Sequence, residues 1–94
     1  MNSENDWNLF KLYFEEVNEN FFTSLQENYQ NITINDLKLA ALIKLNLNIK
    51  EAASVLNIEP DSLKKARYRL RQKFGLNTND SLGEFLTQLE NLHQ

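Results

Sequence analysis

Apolar side chains return every three or four residues along most of the chain, and that spacing is the period of a helix with one buried face. Trp7, Phe10, Phe14 and Val17 form one such stripe, and Leu82, Phe85, Leu86, Leu89 and Leu92 form another. Strands joined by tight turns would need punctuation that is scarce here, because only two glycines and one proline occur. The fold class that follows is all-α.

The elements can be placed from their ends. Residues 1–6 read as a polar tail, and the first helix covers about 6–17. Asn18 reads as the cap of a second helix carrying Phe21, Phe22, Leu25 and Tyr29, with a break near 18–20; one continuous helix is the alternative. These aromatic rings are expected to be core rather than a ligand pocket, since rings supply the most buried area in a small domain. Thr33 and Asp36 have the spacing of a capping box, which opens a third helix whose buried positions are drawn from Leu37, Ala40, Ala41, Ile43 and Leu45 and which Asn46 ends. A short helix follows over 50–56, then a turn at Asn57 and Ile58, then a long helix over 60–74 with Pro60 in its first turn and Gly75 as its stop. Ser81 and Glu84 form a second box ahead of the last helix, 81–92. The 94 residues make a single domain. It divides into an N-terminal helical extension, 1–31, a central segment, 32–76, and a C-terminal helix, 77–94.

Composition removes several function classes. There is no cysteine, so no disulfide framework and no thiolate zinc site, and the one histidine, His93, stands in the last residues. No cofactor or metal is expected. The sequence has no Gly-rich phosphate loop and no His/Cys pair, and its carboxylates are scattered, so no enzymatic step is expected. No apolar run approaches the roughly 18–20 residues of a membrane span, and the start MNSENDWN lacks a basic signal region, which points to a cytoplasmic protein with no membrane partner.

The formal net charge of −3 hides a strong asymmetry. Lys64, Lys65, Arg67, Arg69, Arg71 and Lys73 are six of the ten bases, and no acid lies between Asp61 and Asp80. The remaining four bases face all thirteen acids. Such a distribution puts a positive field on one helix while the acidic remainder repels phosphate, which favours one orientation on a nucleic acid. A merely solvated helix face is the bland alternative.

Residues 50–70 meet the demands of a helix-turn-helix. Ala53 is small where the two helices approach, Leu56 and Ile58 flank the turn as wedges, and Asn57 stands where a left-handed backbone is required. Leu63, Ala66 and Leu70 lock the second helix inward. At 100° per residue from Leu63, the residues Lys64, Lys65, Tyr68, Arg69 and Gln72 point outward. The whole architecture is then a helix-turn-helix core of about four helices, 33–92, behind one or two aromatic-rich N-terminal helices.

From Ile32 to Leu76, about half the chain, the sequence resembles the LuxR-type helix-turn-helix, the effector domain of many bacterial response regulators. Ile32-Thr33 with Asp36 is similar to that family's Leu-Thr-x-x-Glu opening, and Lys50-Glu51-Ala52-Ala53 to its Lys-Glu-Ile-Ala. Ile58, Ser62-Leu63-Lys64 and Lys73-Phe74-Gly75-Leu76 are similar to its Ile-Ser-x-x-Thr-Val-Lys and Lys-Leu-Gly-Val. The stretch Ala66-Arg67-Tyr68-Arg69-Leu70-Arg71 resembles a variant at the C-termini of large bacterial sensor-regulators. Ala66, Glu59 and Ala52 depart from the family's usual histidine, serine and larger aliphatic residue. Glu59 suits the helix dipole but repels phosphate.

The resemblance implies sequence-specific binding of double-stranded DNA for transcription regulation, with helix 60–74 in the major groove. It implies that Lys64, Lys65 and Tyr68 face base edges and that Lys50 and Ser62 touch phosphate. Arg69 and Arg71 join the phosphate-facing set on physical grounds, because they flank the reading face and a guanidinium grips phosphate in bidentate fashion. Tyr68 has a packing role as its alternative. Arg67, near the buried edge, is expected either to pair with Glu51 or Asp36 or to contact DNA. The resemblance further implies a homodimer through helix 81–92, whose leucines would otherwise seal the core, and an upstream sensor or receiver domain in a longer protein. A protein-interaction module that keeps this fold and docks an acidic partner is the reading from another class.

Overall fold

Helix ends in this chain are set by short polar side chains that satisfy loose backbone groups. The computed structural model describes residues 3–91, with side chains from 6 to 89. Among them are six helices and no strand: α1 (Ser3–Val17), α2 (Phe21–Asn28), α3 (Ile34–Lys44), α4 (Ile49–Leu56), α5 (Pro60–Lys73) and α6 (Leu82–Asn91). Thr33 forms the expected capping box: its Oγ1 accepts from Asp36 N at 3.1 Å while Asp36 Oδ2 accepts from Thr33 N at 2.9 Å. Asn48 and Glu51 repeat the device at the start of α4, with bonds of 2.8 and 2.9 Å. Ser81 contributes half of such a box, its Oγ accepting from Glu84 N at 3.2 Å.

Three asparagines take the left-handed backbone that asparagine tolerates better than most residues: Asn20 at φ 62°, Asn46 at φ 64° and Asn57 at φ 58°. Each lies at a change of chain direction between helices. The break near 18–20 is therefore real, and α1 and α2 are separate. Asn18 is not the cap it was expected to be. Its side chain is buried and its Nδ2 donates back to Phe14 O at 3.1 Å, so it closes α1 rather than opening α2. α1 also starts earlier than the sequence suggests, at Ser3.

Two aromatic groups organise the core. Trp7, Phe10, Phe14, Phe21 and Phe22 interlock between α1 and α2, with Phe14 and Phe21 centroids 5.2 Å apart, edge to face. Tyr29, Phe74 and Phe85 tie the end of α2 and the end of α5 to α6, with the Phe74 and Phe85 rings 4.8 Å apart. α3 runs through the middle and buries Leu37, Leu39, Ala40, Ala41, Leu42 and Ile43. Because other helices surround it, its burial has no single stripe. That is why Leu39 and Leu42 escaped the sequence reading and Leu45, expected inside, is exposed at its end. Val17, also expected inside, is 84% exposed: the buried line at this end of α1 runs through Phe14 and Asn18, four residues apart, and Val17 falls to one side of it.

α6 seals the fold: Leu82, Leu86 and Leu89 are buried against α2 and α3. Leu92 and His93 lie outside the described residues. Of the two uses foreseen for this stripe, the core takes these three leucines, and the outer side left for a partner carries Glu84, Thr87 and Gln88. No described helix is long and apolar enough to cross a membrane.

Candidate nucleic-acid interface

α4 and α5 form the most intimate helix pair of the fold. Ala52 and Ala53 are buried where the helices meet, as their small size permits, and Leu63 and Leu70 hold α5 from below with no exposed surface. At the turn, Asn57 N donates to Ser54 O at 3.2 Å and Ile58 N to Ala53 O at 3.0 Å, so the left-handed residue lets the chain reverse within three positions. α5 then starts at Pro60, whose missing N–H is no loss in a first turn. Glu59 caps it without a side-chain hydrogen bond, leaving first-turn amides open to solvent or a ligand. Ile58 departs from expectation. Instead of wedging the helices together it is 41% exposed.

Lys64, Lys65, Tyr68 and Arg69 all stand exposed on the outer side of α5. Tyr68 is 55% exposed, more than a packing role would leave it, and its hydroxyl accepts from Gln72 Nε2 at 3.3 Å one turn along. Lys64, Lys65 and Arg69 have no protein partner among the described residues. Ser62 is exposed near the start of α5, and Lys50 is exposed on the first turn of α4. Six of the seven residues read from the sequence are thus available to a ligand.

Arg71 is the exception. Its Nη1 donates to Asp80 O at 2.9 Å and so fastens the α5–α6 connection to the helix. That connection is itself a closed turn, with Asn77 N donating to Asp80 Oδ2 at 2.9 Å and Asp80 N to Asn77 O at 3.1 Å. A guanidinium that completes this turn is held away from phosphate, so Arg71 is better read as structural.

Lys73 and Arg67 also belong to the fold. Lys73 Nζ pairs with Asp36 Oδ2 and donates to Asn31 O at 3.0 Å, joining the end of α5 to the start of α3. Burial works to raise the Asp36 pKa, but the hydrogen bonds from Lys73 and Thr33 and the lysine charge outweigh it and hold the carboxyl below its ordinary value. Arg67 pairs with neither of its expected partners, because Asp36 is taken by Lys73 and Glu51 by the Asn48 backbone. It lies half-buried beside Leu47, Ile49 and Lys50, where burial, and then the nearby Arg71 charge, lower its pKa. Sequence reasoning missed the Lys73 bridge, whose two ends are 37 residues apart with no local signal. It also missed the Asn48 box, whose signal was present in the same x-x spacing as the Thr33 box.

Among the described residues no three of His, Cys, Asp and Glu gather as a metal-ligand set. Comparison with family models, curated proteins and solved structures finds no match for this chain.

Proposed function

We propose that this chain binds double-stranded DNA sequence-specifically, without an enzymatic step, as the LuxR-type effector domain of a bacterial transcription regulator. α5 would enter the major groove, with Lys64, Lys65 and Tyr68 toward base edges and Lys50, Ser62 and Arg69 toward phosphate. The observation that carries this reading is the outer side of α5: three long cations without protein partners and one exposed tyrosine, on a helix held rigidly by a buried inner side. Rigid presentation matters because a reading helix must hold its contacts in register with the bases. A cytoplasmic location and an upstream sensor or receiver domain go with the proposal. Two-fold pairing, if it uses α6, would run through that helix's polar outer side.

The test is selection from random duplexes at two salt concentrations, followed by anisotropy on any enriched motif. An enriched motif whose affinity falls steeply with salt, and is lost in Lys64→Glu with helical content retained, is expected. Absence of duplex binding at low salt, with saturable binding of an acidic protein, would transfer the same cations to the interaction-module reading.

A further inference from the structure

Ile58 and Val55, on the α4–α5 turn side, are uncovered for a reason that the DNA reading does not supply: they form one wall of a half-open groove of about 810 Å³. Trp7 and Phe10 of α1 and Leu39 and Leu42 of α3 line the same groove. Its volume lies in the range of small-molecule sites, roughly 300–1,000 Å³, and its lining combines apolar side chains with about as many polar or charged ones, so it suits an amphipathic ligand rather than a purely apolar one. Ser62 and Arg69 of α5 form the edge shared with the outer face.

Charge at the rim selects the ligand class. Lys73 and Asp36 also reach the groove, but each neutralises the other. That leaves Lys38 and Arg69 against Asp6, which is exposed on α1. Lys38 Nζ lies 5.4 Å from the Trp7 ring centroid, a cation–π contact that keeps it beside the apolar wall. Arg69 has no protein partner. An apolar body with a single anionic head fits this arrangement, because the guanidinium offers a planar fork to a carboxylate while the rings take the hydrocarbon.

We infer that the groove between α1 and the helix-turn-helix is a binding site for an apolar monocarboxylate, its chain against Trp7, Phe10 and Ile58 and its carboxylate on Arg69. A consequence, resting on the proposed DNA function, is that such a ligand and DNA phosphate compete for Arg69. The site would then be regulatory.

Trp7 is the only tryptophan, so its fluorescence reports the groove directly. Octanoate, titrated into the full chain without DNA, is expected to change that fluorescence saturably, and octan-1-ol to bind more weakly. Arg69→Gln should weaken octanoate about tenfold, the usual scale for losing one charge-assisted contact, and leave octan-1-ol unchanged. Ile58→Ala should weaken both. A non-saturable response, or octanoate affinity indifferent to Arg69→Gln, overturns the site. So does a dimer in sedimentation that Ile58→Asp dissolves, since the groove would then belong to a second copy. The DNA arm is separate: duplex affinity measured without octanoate tests the DNA reading, and its decrease on adding octanoate tests the competition.

Discussion

Replacing Asp36 by alanine removes two things at once, the acceptor for the Thr33 N–H and the partner of Lys73. The capping contribution is on the order of 0.5–2 kcal/mol. The ion pair is screened, with side chains 14% exposed for Asp36 and 30% for Lys73, so it adds about 0.5–1 kcal/mol, the upper part of the surface range. A loss of roughly 1–3 kcal/mol follows, and in a domain of this size each kcal/mol lowers Tm by about 4–8 °C. Asp36→Asn separates the terms, since its amide oxygen can still accept from Thr33 while the charge is gone. A double-mutant cycle with Lys73→Ala by urea denaturation should give a coupling of about 0.5–1 kcal/mol. The pH dependence has a fixed sign. Because the folded pKa lies below the ordinary 3.8, the stabilisation is fully present above that value and is lost as pH falls through the folded pKa. Zero coupling in the cycle, or an Asp36→Ala protein as stable as the wild type, would refute the reasoning that this pair fastens α5 to α3.

Phe22→Ala should cost about 3–5 kcal/mol, a large part of the stability of so small a domain, because the ring is fully buried against Trp7, Phe14 and Phe21; denaturant melts measure it. Asn57→Gly should be near neutral and Asn57→Ala destabilising by about 1 kcal/mol, since only the second forces a Cβ-bearing residue without asparagine's local bonding into φ 58°. Arg71→Ala should lower Tm and barely change duplex affinity, whereas Arg69→Ala should do the reverse; equal effects on affinity would return Arg71 to the interface.

What could be read from the sequence was what depends on neighbours along the chain. The Thr33–Asp36 box, the left-handed Asn57, Pro60 at the start of α5 and the inward Leu63 and Leu70 all follow from spacings of a few residues, and all are found. The outward ridge of Lys64, Lys65 and Tyr68 followed from the same periodicity. The misreadings are tertiary. The broad apolar stripe of α3 suits a central helix, but its periodicity does not show that burial extends to Leu39 and Leu42, and no local pattern says that Arg71 and Lys73 will be held by Asp80 and Asp36. The groove beside Ile58 depends on where α1 lies relative to the turn, which the spacing of Trp7 and Phe10 cannot give.

These tertiary contacts also limit the electrostatics of any complex. Six bases on α5 suggest six phosphate contacts, but Arg71 and Lys73 are bonded within the fold and Arg67 is half-buried. Lys64, Lys65, Arg69 and, from α4, Lys50 remain, so at most four cations per chain can release counterions without breaking an internal contact. At about −0.9 per neutralised phosphate, the slope of log affinity against log salt should be no steeper than about −3.6 per chain. Affinity would then fall by up to about 150-fold from 50 to 200 mM salt. A slope near −6 per chain would mean that Arg71 and Lys73 leave Asp80 and Asp36 on binding. The end of α5 would then detach from α3, and the rigid ridge assumed for the reading helix would not be the form that meets the duplex.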